Sequence, residues 1–227
     1  MIKLITLLKR RPGISVQEFQ EHWLNIHGPL VAKAPGLKRY VQSHALVQGY
    51  GKGDLLFDGI DERWFGSPQV VQAFHKSPEA EAAARDAATF LDGSRTLIMR
   101  VDVFVIKDGP IPQNAVKNIE FVNRRPGMAL PAFQRYWREM HGPIASRIPV
   151  IRRYEQNHLA SSAYAEDPAP PYDGLAVTWF DSTAEMRRGA ATPEYAATRV
   201  DEANFLPPCH LPIIITREHP LALSNTP

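Results

Sequence analysis

The stretch Phe19-Gln20-Glu21-His22-Trp23-Leu24-Asn25-Ile26-His27-Gly28-Pro29 returns 114 positions later as Phe133-Gln134-Arg135-Tyr136-Trp137-Arg138-Glu139-Met140-His141-Gly142-Pro143. Upstream, Arg11-Pro12-Gly13 matches Arg125-Pro126-Gly127. Downstream, Tyr40, Gln42 and His44 match Tyr154, Gln156 and His158. After one inserted residue, Asp58-Gly59, Trp64-Phe65 and Ser77-Pro78-Glu79 recur as Asp173-Gly174, Trp179-Phe180 and Thr192-Pro193-Glu194. A repeat this long is a duplicated domain and not a solenoid, whose units run about 20–50 residues.

Within the first copy, Ile2–Leu8 is apolar and branched and predicts a strand ended by Pro12-Gly13. Ser15 followed by Glu18 is a capping box. The helix it opens carries Val16, Phe19, Trp23 and His27 along one stripe and is predicted to stop at Gly28-Pro29. Leu37–Val47 and Leu55–Phe65 read as strands around the glycine-bearing turn Gln48–Asp54. Ser67–Leu91 reads as helix with a break at Ser77-Pro78, and Arg95–Ile106 as a fourth strand. In the second copy the capping box is lost, since Ala129 replaces Ser15. The order β-α-β-β-α-β is the ferredoxin-like unit, a four-stranded antiparallel sheet with helices on one face. Two such units with uncovered sheets predict an α+β fold closing into one intramolecular eight-stranded barrel. The expected boundaries are 1–107 for the first repeat, 108–114 for a linker, 115–218 for the second repeat and 219–227 for a loose tail. Residues 167–171, rich in proline, read as a loop.

Composition narrows the function classes. The formal charge is +2 and the basic residues are dispersed, so nucleic acid is a poor partner. No apolar run reaches the roughly 18 residues of a membrane span. Met1–Leu8 followed by Lys9-Arg10-Arg11 has the wrong order for a signal peptide. The single cysteine, Cys209, fits a reducing, cytoplasmic setting. No metal motif is present; His22 and His27, five apart, are out of phase on an α-helix, and adjacent Cys209 and His210 in a strand would face opposite ways.

Alternation puts Tyr40, Gln42 and His44 on one strand face, and Tyr154, Gln156 and His158 likewise. A polar row on a half-buried strand needs partners or a ligand. His44 and His158 are therefore the first candidates for acid/base work, with His27 and His141 next. Asp58 and Asp173 are expected to orient a histidine; Tyr40, Gln42, Tyr154 and Gln156 to hold substrate oxygens; Trp64 and Trp179 to line the pocket. Plainer roles exist: His27 and His141 as helix-end caps, Trp23 and Trp137 as core, and Asp58-Gly59 as a turn.

The elements Trp-x-x-x-His-Gly-Pro and Arg-Tyr-x-Gln-x-His, present at 23–29 and 39–44 and again at 137–143 and 153–158, resemble the EthD family over nearly the whole chain. The resemblance implies the dimeric α+β barrel superfamily, whose members usually build from two chains the barrel that this protein would build from one. It implies catabolic or polyketide-tailoring chemistry. The expected function is a cofactor-independent enzyme acting on an apolar, aromatic or cyclic metabolite by elimination, isomerisation or decarboxylation. Two alternatives stand beside it: a non-catalytic accessory protein binding such a metabolite, and a haem-dependent or cofactor-free oxidoreductase. Pairing of two such chains into a homodimer is left open. Fold alone does not choose among these.

Overall fold

A computed structural model describes residues 1–165 and 171–223. The expected loop at 167–171 falls, apart from Pro171, outside the described residues, as do residues 224–227. The strands are β1 (Ile2–Leu8), β2 (Leu37–Ala45), β3 (Gly59–Phe65), β4 (Leu97–Lys107), β5 (Val116–Val122), β6 (Arg153–Leu159), β7 (Gly174–Phe180) and β8 (Ile213–Pro220). They hydrogen-bond in the closed order β1-β3-β2-β8-β5-β7-β6-β4, an eight-stranded α+β barrel.

Two compact units divide the chain. The first is Met1–Val101 with the segment from Thr216, and the second is Asp102–Ile215. In the first unit β1 lies between β3 and the start of β4, with Leu4 opposite Arg63 and Arg100. β2 pairs with β3 on one side and with the end of β8 on the other, Gln42 opposite Asp61 and His219. The expected tail at His219 is therefore still strand. Beyond it, Leu221 N–H donates to Tyr40 O, and Leu221 and Leu223 pack on the core of Tyr40, Phe65 and Phe74. In the second unit β7 lies between β5 and β6, with Ala176 opposite Glu120 and Gln156.

The first helix of each unit departs from expectation. α1 (Val16–His22) opens on the Ser15–Glu18 capping box, and α5 (Leu130–Tyr136) starts without a side-chain cap at Ala129. Neither stops at Gly-Pro. A π-helical turn, Trp23–His27 or Trp137–His141, leads straight into α2 (Gly28–Ala32) or α6 (Gly142–Ala145). Proline sits in the first turn of the new helix, where no N–H is required. The Trp23 carbonyl instead takes the Gly28 N–H and the Gln42 amide, and Trp137 O takes Gly142 N–H and Gln156. The wide turn also corrects the phase argument for His22 and His27, because five residues complete about one π turn.

The later helices are α3 (Pro68–His75), α4 (Pro78–Phe90), α7 (Thr183–Ala190) and α8 (Pro193–Glu202). Ser77 and Thr192 cap α4 and α8 with proline in the first turn. The Cys209-His210 pair lies outside any strand. Gly59 and Gly174 lie under the tryptophans: a Cβ on Gly59 would come within 2.4 Å of Trp23 Cζ3, and one on Gly174 within 2.9 Å of Trp137 Cζ3. Gly59→Ala and Gly174→Ala are each expected to cost about 1–3 kcal/mol by overpacking, read from denaturant midpoints.

Candidate functional site

The row Tyr40-Gln42-His44 is buried and joined end to end. His44 Nε2 lies 2.9 Å from Gln42 Oε1, and Gln42 Nε2 donates to Tyr40 Oη at 3.0 Å and to Trp23 O at 2.9 Å. Both amide N–H groups are thus used, so the Gln42 oxygen accepts and His44 must carry its proton on Nε2. His158, Gln156 and Tyr154 repeat the chain at 3.0 and 3.0 Å. The imidazoles stack on tryptophan, His44 on Trp23 at 4.2 Å and His158 on Trp137 at 4.4 Å. Burial pushes both down to about 3, His219 adding to the effect at His44 and Arg138 at His158. They are neutral throughout the physiological range.

Folded values below the ordinary 6.5 mean that the unfolded chain takes up protons first, so the stabilisation is present above pH 6.5 and is lost as pH falls towards 3. Each histidine costs about 1.4 kcal/mol per pH unit in that window. Wild type should lose melting temperature steeply below pH 6, and a His44→Asn/His158→Asn variant should lose it less steeply.

His27 and His141 do not cap helix ends, since both helices continue past them. They are buried, and each donates Nδ1–H to a carboxylate, His27 to Asp86 at 2.8 Å and His141 to Asp201 at 2.9 Å. His22 reaches the other Asp86 oxygen at 2.9 Å. Burial lowers both His27 and His141, and the carboxylates oppose it. Asp86 and Asp201 are thus the carboxylates that orient histidines. Their spacing of 115, the offset after the insertion, was the signal available for them.

Among the described residues Asp58 and Asp173 bond no histidine. Asp58 accepts from Arg10 N, Arg10 Nε and Tyr50 OH and pairs with Lys9; Asp173 accepts from Arg124 and Tyr164. Each precedes its strand by one residue, beyond the reach of the alternation rule, and pins the entry to the Arg-Pro-Gly turn of its own copy. Trp64 and Trp179 do not line the cavity described below. Trp64 faces Lys3 at 4.7 Å and Arg39 at 4.6 Å, and Trp179 faces Lys117 at 5.1 Å. On β7 it is Ala176, Thr178 and Phe180 that line the cavity, so Trp179 alternates to the other side.

In the second unit a cavity of about 470 Å³ opens between the helices and the sheet. Its apolar wall includes Trp137, Ile148, Phe180, Met186 and Phe205; its polar groups include Asn118, Glu120, His141, Tyr154, Arg199 and Glu202. Of the expected site residues, His141 and Tyr154 meet here. Burial raises Glu120 to about 7, Glu202 adding to it and Arg199 opposing. Burial also raises Glu202, which Arg199 pairs at 2.6 Å. Asn118 Oδ1 is buried without a hydrogen-bond partner among the described residues.

The first unit fills the corresponding space. Thr6, Asp61, Arg63 and Phe74 stand where the second has Glu120, Ala176, Thr178 and Gly189. Tyr40 OH donates to Asp61 at 2.9 Å; Asp61 pairs with Arg63 at 2.7 Å; Arg63 donates to Thr6 at 2.6 Å and lies over Phe74. Glu120 and Glu202 occupy positions at which the copies differ, so the repeat carries no signal for them. Among the described residues no group of three or more His, Cys, Asp or Glu side chains is placed to hold a metal ion, and no helix is long and apolar enough to cross a membrane.

Two solved structures share this architecture. A solved anthrone oxidase-like protein is 9% identical, with 100% of this chain and 96% of that chain covered at a TM-score of 0.62. A dye-decolorizing peroxidase from Bacteroides thetaiotaomicron VPI-5482 is 7% identical, with 95% and 92% covered at 0.53. An ethyl tert-butyl ether D (EthD) family protein from Bacillus halodurans C-125 is 29% identical, with 45% of this chain and 97% of that chain covered at 0.38. No curated protein matches the sequence. The EthD domain profile matches residues 11–94 and again 125–208, the two copies that each carry Trp-x-x-x-His-Gly-Pro. The chain belongs to the EthD family and carries its domain twice in tandem.

Proposed function

We propose that the protein is an enzyme of small-molecule metabolism, with its site in the cavity of the second unit and Glu120 as the acid/base group. The observation that carries this reading is a carboxyl raised to about 7 in a cavity whose walls are mostly apolar. An acid/base group works best with its pKa near the working pH, and perturbed carboxyls gather at such sites. The substrate is an apolar ring compound bearing a carbonyl. Glu120 removes a proton from the carbon beside that carbonyl; in isomerisation it returns the proton at another carbon, and in elimination it gives the proton to a departing hydroxyl group, which leaves as water. Decarboxylation fits less well, because Glu120 and Glu202 repel a substrate carboxylate.

His141 is the helper: with its Nδ1 proton given to Asp201, its Nε2 is the acceptor nitrogen. His44 and His158 hold their chains in place and move no proton, given values near 3. The fold neighbours named as oxidase-like and peroxidase bear on the oxidoreductase alternative. A haem would bring two propionates to a wall that already carries Glu120 and Glu202, with Arg199 engaged by Glu202. These residues do not fit that group. The test is proton exchange: ring ketones incubated with the protein in D₂O should gain deuterium beside the carbonyl. Ketones that bind without exchange would leave the non-catalytic binding protein as the correct reading.

A further inference from the structure

We infer that the cavity takes a ligand through a hydrogen-bond-accepting oxygen, a carbonyl or enolate oxygen, seated where the first unit keeps the Asp61 carboxylate. The inference rests on the reading of the cavity as the functional site. Its basis is the direction of hydrogen bonds in the two chains of side chains. In the first unit the sequence of donation runs His44 to Gln42, Gln42 to Tyr40, and Tyr40 to Asp61, which closes it. In the second unit it runs His158 to Gln156 and Gln156 to Tyr154, and there it lacks its last member, because Ala176 replaces Asp61.

Tyr154 Oη receives two N–H groups, from Gln156 Nε2 at 3.0 Å and from Trp137 Nε1 at 3.3 Å. Those bonds occupy the oxygen's lone pairs and turn its proton away from them. Among the described residues no group accepts that proton, although the side chain is 2% exposed and lines the cavity. A buried donor without an acceptor is costly, and two donors polarise the phenol into a better donor. Burial raises its pKa, so it offers a proton and no charge. His158 is then a positioning residue: through Gln156 it fixes the direction in which Tyr154 donates.

The test uses 2-acetylnaphthalene and 2-ethylnaphthalene, which share a ring system and differ in the carbonyl oxygen. The wild-type chain should bind the ketone about 3- to 10-fold more tightly, the range of one net hydrogen bond. Tyr154→Phe should bring the ratio to about 1 with little change for 2-ethylnaphthalene. Ala176→Asn should do the same, by giving Tyr154 an internal acceptor without adding charge. His158→Ala should lower the ratio, whereas a merely structural loss would weaken both ligands alike. Equal wild-type affinity for the two overturns this inference and leaves the cavity reading standing. Binding of neither overturns both. A ratio that survives in Tyr154→Phe and Ala176→Asn overturns the assignment to Tyr154.

Discussion

Glu120→Gln is expected to lower turnover by about 100-fold or more, the scale of general acid–base assistance, while leaving the fold intact. Glutamine keeps the volume and one acceptor oxygen but neither takes nor gives a proton at neutral pH. The wild-type rate should rise with pH through about 7 as Glu120 ionises, and this limb should vanish in the variant. Stability should move the other way. A carboxyl raised from 4.5 to about 7 is protonated more firmly in the folded state, so its stabilisation is full below pH 4.5 and is lost as pH rises through 7. The variant escapes that loss and should melt at an equal or higher temperature than wild type above pH 7. The effect is at most about 3 kcal/mol, because a tenfold change in proton affinity is worth about 1.4 kcal/mol. A full rate in Glu120→Gln on an identified substrate would remove Glu120 from the mechanism, and a collapsed melting curve would assign it to the fold.

Trp23→Ala is expected to cost roughly 3–5 kcal/mol, the cost of truncating a fully buried tryptophan. Its indole is 0% exposed, packs with Leu8, Phe19 and Phe90, covers Gly59 and stacks on His44 at 4.2 Å with the rings 7° apart. Removal opens a void and lets water reach His44, which would then protonate more readily at mildly acid pH. Trp137→Ala should cost a similar amount, and ligand affinity besides, because Trp137 also walls the cavity and donates to Tyr154. Melting curves and ligand titrations on the two variants separate these roles. An unchanged melting temperature in Trp23→Ala would contradict its place in the core.

Much of the architecture was legible in the chain alone. The 114-residue offset showed the two copies that the EthD profile matches, and the Ser15–Glu18 box and the Ser77-Pro78 break located the first helix and the α3–α4 junction, because a cap depends on near neighbours in the chain. Strand alternation placed Tyr40, Gln42 and His44 on one face for the same reason. It failed at Asp58 and Asp173, which stand one residue before β3 and β7. The Gly-Pro step misled as well: at a π turn a proline starts the next helical segment instead of ending the run.

The duplication, the element order and the polar strand faces are written in the chain, since each is a repeating or local property of it. Which carboxylate meets each histidine depends on the folded chain. Asp86 lies 59 residues from His27, and Asp201 lies 60 from His141, so helix packing and not spacing brings them together. The fold also decides that the second unit has a cavity where the first has Asp61, Arg63 and Phe74. That cavity is a difference in side-chain volume summed over β5, β7, α7 and α8, elements that touch only after folding. The residues kept in both copies build the shared frame, whereas Glu120, Ala176, Thr178 and Gly189, where the copies diverge, shape the space a ligand would enter.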